Sequence, residues 1–75
     1  MNINKIKAIV MANARRLIKA KKITSNGKLY MEIFGTGLTT ARTICIEDLG
    51  LDPDSNETSL DKMFSHIEKA TEGRD

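Results

Sequence analysis

Lys28-Leu29-Tyr30-Met31-Glu32-Ile33-Phe34-Gly35-Thr36-Gly37-Leu38-Thr39-Thr40-Ala41-Arg42-Thr43-Ile44-Cys45-Ile46-Glu47-Asp48-Leu49-Gly50 is the stretch on which the fold turns. Its first part reads two ways: Leu29, Met31 and Ile33 alternate as in a strand, while Leu29, Tyr30, Ile33 and Phe34 share one face of a helix. The second part is divided too. Ala41, Ile44, Cys45 and Leu49 fall on one helical face, whereas Leu38, Thr40, Arg42, Ile44 and Ile46 alternate and Thr39, Thr40, Thr43, Ile44 and Ile46 are β-branched. The ending Leu49-Gly50-Leu51-Asp52-Pro53 favours helix for residues 40 to 49. Gly50 suits the left-handed position after a helix, Leu51 can fold back on it, and Pro53 prevents continuation. The expected fold is mainly α, a small domain of three to four helices. The alternative left open is an α+β domain of order α-β-β-α, with a hairpin over residues 28 to 46.

On the N-terminal side, Ile3, Ile6, Val10, Ala14, Leu17 and Ile18 recur at helical spacing with no Gly or Pro between them, predicting a helix over residues 3 to 22. In this reading Lys5, Ala8, Ala12, Arg15, Arg16, Lys19 and Lys22 form its solvent side, a basic stripe. Thr24-Ser25-Asn26-Gly27 should end that helix in a turn, since Asn-Gly tolerates positive φ. On the C-terminal side, Thr58 followed by Asp61 resembles a capping box, and Leu60, Met63, Phe64, Ile67 and Ala70 make an apolar face. A helix over about residues 59 to 71 is expected, with Phe64 and Ile67 anchoring it against the first helix.

The 75 residues allow one small domain, residues 1–75, with 40% hydrophobic residues but only one Tyr and two Phe, so the core should be built of Ile, Leu, Met and Ala. So short a chain is marginal in stability, and a homodimer is one way to bury more apolar area. One Cys and one His cannot supply a structural disulfide or the ligands of a zinc site. Asp52-Pro53-Asp54-Ser55-Asn56 imitates the start of a calcium loop but has Glu57 where glycine is required and Met63 where a bidentate Glu is required. His66 has no patterned nucleophile partner, and Cys45 reads as a small buried residue. Neither a cofactor nor a metal is expected, and the chain reads as non-enzymatic. The absence of a membrane-length apolar run and of a secretory leader points to a cytoplasmic protein with no membrane partner.

The net charge of +2 hides a division: residues 1–31 carry eight basic groups and no acid, whereas residues 32–75 carry four basic groups against ten acidic ones. A basic end of this kind suits polyanions. Within Ile33 to Ile44, an apolar residue, Gly-x-Gly, Thr-Ala and a later apolar residue resemble the helix-hairpin-helix nucleic-acid-binding motif, and the likeness to the small-subunit ribosomal protein carrying that motif extends over about residues 29 to 70. The resemblance implies a Gly35-Thr36-Gly37 hairpin whose backbone N–H groups hold phosphate. The expected function is nucleic-acid binding without strong sequence preference, DNA or RNA. Its expected contacts are Arg15, Arg16, Lys19, Lys22, Lys28, Gly35, Thr36, Gly37, Thr39, Thr40 and Arg42. The opposing reading is a small phage-type inhibitor or adaptor that binds a host protein, using Asp48, Asp52, Asp54, Glu57 and Asp61 to mimic a nucleic acid.

Overall fold

The computed structural model describes residues 2–18 and 24–72. In chain order these form α1 (Ile3–Leu17), α2 (Asn26–Phe34), α3 (Leu38–Ile44), which runs directly into a π-helical turn (Cys45–Leu49), and α4 (Leu60–Glu72). The two-way reading of residues 28 to 46 resolves to helix, and among the described residues no strand occurs.

Local chemistry accounts for these limits. Asn2 opens α1, its Oδ1 accepting from Asn4 N at 2.8 Å. The helix ends at Leu17, sooner than expected, because Ile18 is already extended at φ −100° and ψ 97°. Of the residues expected to continue it, Lys19 and Lys22 lie outside the described residues. Asn26-Gly27 is not a turn but the first residues of α2. Ser25 stands one position earlier and caps that helix, accepting from Lys28 N at 3.3 Å. Gly35, at φ 70°, ends α2 in the left-handed region.

The stop at Leu49–Pro53 has the expected form. Gly50 lies at φ 66°, and its N–H donates to Cys45 O. Leu51 N donates to the same oxygen at 2.8 Å, folding the buried Leu51 side chain back on the helix. The wider π turn offsets the drift that a four-residue spacing suffers on a 3.6-residue turn, so Ala41, Cys45 and Leu49 are all fully buried. At the start of α4, Ser59 rather than Thr58 serves as cap, accepting from Lys62 N at 3.3 Å.

The core consists of Ala8 and Met11 of α1, Leu29 and Tyr30 of α2, Ala41, Cys45 and Leu49, then Leu51, with Met63 and Ile67 of α4. The anchor of α4 is Met63 with Ile67, while Phe64 is only half-buried against the core's edge. Helices α1 and α4 lie side by side in opposite directions. Lys5 Nζ meets Glu68 Oε1 at 3.4 Å near one end, and Arg15 Nε donates to Thr58 Oγ1 at the other.

The solvent side of α1 is largely the reverse of the sequence expectation, although Ala14 packs against the core and Arg16 is exposed as expected. Ala8 and Met11 are fully buried and Ala12 is partly so, whereas Ile3 is 61% exposed and Leu17 66% exposed, with Ile6 and Ile9 also open. Small side chains explain the inversion. Ala8 and Ala12 let α1 approach its neighbours closely, and the long Lys and Arg stems beside them cover apolar surface while their heads find polar partners.

Candidate nucleic-acid interface

The Gly35-Thr36-Gly37 link joins α2 to α3 as a helix-turn-helix unit whose tip is largely exposed, with Gly35, Gly37, Leu38, Thr39 and Thr40 all facing solvent. Gly35 supplies the left-handed residue that lets the chain reverse. Gly37, at φ −72° and ψ 163°, is the N-cap of α3 and gives no side-chain cap bond. The N–H groups of the first turn, on Leu38, Thr39 and Thr40, have no partner within the helix. Thr36 Oγ1 is buried with no hydrogen-bond partner among the described atoms. The tip therefore offers backbone donors at the positive end of a helix dipole, an arrangement suited to an anion.

The expected cations do not gather around that tip. Arg15 is turned into the protein: its Nε donates to Thr58 Oγ1 at 3.0 Å and its Nη2 to Asn26 Oδ1 at 3.1 Å. Burial holds its guanidinium below the usual arginine range. Arg42 makes a two-pronged ion pair with Asp54, Nη2 lying 3.3 Å from Oδ2 and Nη1 meeting Oδ1. The hydrogen bond and the attraction between the two charges raise Arg42 and lower the Asp54 carboxyl, both at the surface. Arg16 is exposed on α1, its Nη2 donating to Asn13 Oδ1 at 3.3 Å. Lys28 is exposed on the first turn of α2, about 10 Å along the helix from Gly35. The basic stripe read from sequence is therefore divided among separate structural tasks.

The acidic half is similarly occupied. Asp54 is held by Arg42, Glu57 Oε1 lies 3.5 Å from Lys62 Nζ, and Asp52 Oδ1 accepts from Asp54 N at 3.0 Å. His66 is half-buried with its Nε2 2.9 Å from Glu47 O.

What the sequence reading missed is Asn26, fully buried and bonded on every side of its carboxamide. Its Nδ2 donates to Asp52 O at 3.0 Å and Glu57 O at 2.9 Å, while Oδ1 accepts from Arg15 and from Thr58. The backbone agrees: Asn26 N donates to Ser55 O and Gly27 N to Pro53 O. Asn26 thus fixes the start of the helix-turn-helix unit against the segment from Leu51 to Ser59.

Shallow clefts of about 180 Å³, between Asn2, Glu47 and Ile67, and about 220 Å³, between Gly50, Ser55 and Lys62, are smaller than ordinary ligand pockets of about 300 Å³ or more. Among the described residues no cluster of His, Cys, Asp or Glu could hold a metal ion, and no helix is long and apolar enough to cross a membrane. Comparison with protein-family models, characterised proteins and solved structures finds no match to this chain.

Proposed function

We propose that this is a non-enzymatic nucleic-acid-binding protein whose contact surface is the tip of the α2–α3 unit rather than the flank of α1. The observation that carries the reading is the uncapped, exposed first turn of α3 behind Gly35 and Gly37. Its N–H groups would receive a phosphate oxygen, with Thr39 and Thr40 hydroxyls beside it and Lys28 meeting the backbone further along. Binding of this kind reads the phosphate chain and not the bases.

The withdrawal of Arg15 and Arg42 into internal partnerships lowers the charge available for the contact. About two phosphates neutralised give a salt slope of about −2 on duplex DNA, where a fully exposed stripe would give about −4 to −5. The test is Gly37→Asp. A Cβ at Gly37 meets nothing within 4 Å and the backbone is ordinary for an L-residue, so the variant should fold. Aspartate is also a preferred N-cap, worth a few tenths of a kcal/mol over glycine. It nevertheless places a carboxylate where the phosphate would sit. Loss of DNA and RNA binding with an unchanged or higher melting temperature supports the reading. Undiminished binding by Gly37→Asp removes the tip from it, and no binding by wild type at low salt removes the function.

A further inference from the structure

Along α1, Ile3, Ile6, Val10, Asn13 and Leu17 follow one another at alternating steps of three and four, the a and d positions of a heptad. They lie on the side opposite buried Ala8 and Met11. Ile3, Ile6, Asn13 and Leu17 are exposed and Val10 is half-buried. The folded chain thus leaves open a two-heptad seam on a helix about 22 Å long.

The flanks of the seam indicate what covers it. Lys7 borders one side, its Nζ 5.7 Å from the centre of the Tyr30 ring, and exposed Arg16 borders the other. From Ile3 to Leu17 α1 carries no acidic residue. The carboxamide oxygen of Asn13 is taken by Arg16, so this pair presents N–H donors outward at the one polar position in the seam. Carboxylates on a partner would meet donors on both borders and at Asn13.

We propose that the open face of α1 docks one amphipathic helix of another protein, with apolar residues along the seam and acidic residues at the flanking positions. Self-pairing satisfies the same features poorly. Parallel copies would set the two basic last turns, Arg15 and Arg16, side by side with their helix dipoles aligned. Antiparallel copies pair a with d positions, which places Asn13 against Ile3, Val10 or Leu17. An acid-flanked helix carries neither conflict, and flanking charges of this kind set partner and orientation in paired helices.

The test uses the full chain and two synthetic peptides of about three heptads, each with Leu at a and d and one Asn, kept below the concentration at which they self-associate. One has Glu and the other Lys at the flanking e and g positions. Fluorescence anisotropy should show the Glu peptide binding about tenfold or more tighter than the Lys peptide, with Lys7→Glu plus Arg16→Glu reversing the order. Ile6→Asp should abolish binding of both peptides, and Leu17→Ser, at a position 66% exposed, should weaken both while leaving thermal melting and nucleic-acid binding intact. Conversely, Gly37→Asp should leave the Glu peptide bound. Equal affinity for the two peptides, or binding of neither, overturns the proposal. So does a concentration-dependent dimer in sedimentation that Ile6→Asp dissolves, or cosedimentation with phosphatidylserine vesicles that Ile6→Asp abolishes.

Discussion

Arg15 of α1 and Thr58, forty-three positions apart, are joined by a 3.0 Å hydrogen bond from the guanidinium Nε to the hydroxyl oxygen. The Thr58 hydroxyl in turn donates to Asn26 Oδ1 at 2.6 Å, the same oxygen that Arg15 Nη2 reaches at 3.1 Å. One polar triangle therefore ties α1, the start of α2 and the approach to α4. The segment from Leu51 to Ser59 has no helix of its own, and this triangle and the two carbonyls that Asn26 caps tie it to α1 and α2.

Asn26 should accordingly be among the least replaceable polar residues in the chain. Asn26→Ala leaves the Thr58 hydroxyl, one Arg15 donor and the Asp52 and Glu57 carbonyls, whose bonds to Asn26 are part-buried, without that partner. Each such group costs about 1–3 kcal/mol, so a loss of about 3 kcal/mol or more is expected, a large share of a small domain's stability. Asn26→Asp keeps the acceptor for Arg15 and Thr58 but removes both donors, and should fall between wild type and Asn26→Ala. Urea denaturation gives the comparison. If Asn26→Ala unfolds at the wild-type midpoint, the triangle is ornamental and the order of the segment comes from Leu51 and Pro53 alone.

Much of the fold was legible because glycine and proline state their requirements openly. Gly50, Leu51 and Pro53 announced the stop after α3, and that stop decided between helix and strand for the β-branched run before it. The face of α1 was misread for a physical reason. Hydrophobic periodicity weights Ile3, Ile6, Val10 and Leu17, yet the inward side is chosen by how closely a helix can approach its neighbours. Ala8, Met11, Ala12 and Arg15 also share one helical face, at i, i+3, i+4 and i+7, and they contain the small and flexible residues that close approach needs. Arg15 looked like surface charge because its partners, Asn26 and Thr58, are distant in sequence. Thr58 was read as the cap of α4, but its hydroxyl is held by Arg15 and Asn26, and Ser59 takes the role. The hairpin glycines could be placed from sequence, whereas the separation of the cations from the tip could not.

Two glycines with nearly the same left-handed backbone give a controlled comparison, since Gly35 lies at φ 70° and Gly50 at φ 66°. A Cβ at Gly35 meets nothing within 4 Å, whereas one at Gly50 would stand 2.5 Å from His66 Cγ. Gly35→Ala should therefore cost only the backbone penalty, about 1–2 kcal/mol. Gly50→Ala should cost more, about 2–4 kcal/mol, because it also displaces His66 from Glu47 O. Combining Gly50→Ala with His66→Ala should recover about 1–2 kcal/mol of coupling in a double-mutant cycle. Strict additivity would mean that His66 moves aside without cost.

The last expectation concerns alkaline pH and Cys45, whose side chain is fully buried with Sγ 3.6 Å from Asn26 O. Burial pushes the thiol up from 9.0 to about 11, with nearby Arg42 opposing the shift only in part. In the unfolded chain the thiol ionises near its ordinary value of about 8.5. Between that value and about 11 the native state therefore holds a proton that the unfolded state has lost, and stability falls as pH rises. The stabilisation is fully present below about pH 8, and a shift of about two units corresponds to a loss of about 2–3 kcal/mol once pH passes the native value. Cys45→Ala serves as the reference that isolates the thiol from every other group. Denaturation midpoints measured from pH 6.5 to 10.5 should show a constant difference between the two proteins up to about pH 8. The difference should then shift by up to about 2 kcal/mol at the expense of wild type as the unfolded thiol ionises. Curves that stay parallel to pH 10.5 would show that the thiol ionises as readily in the folded protein as in the unfolded chain, and hence that its site admits water.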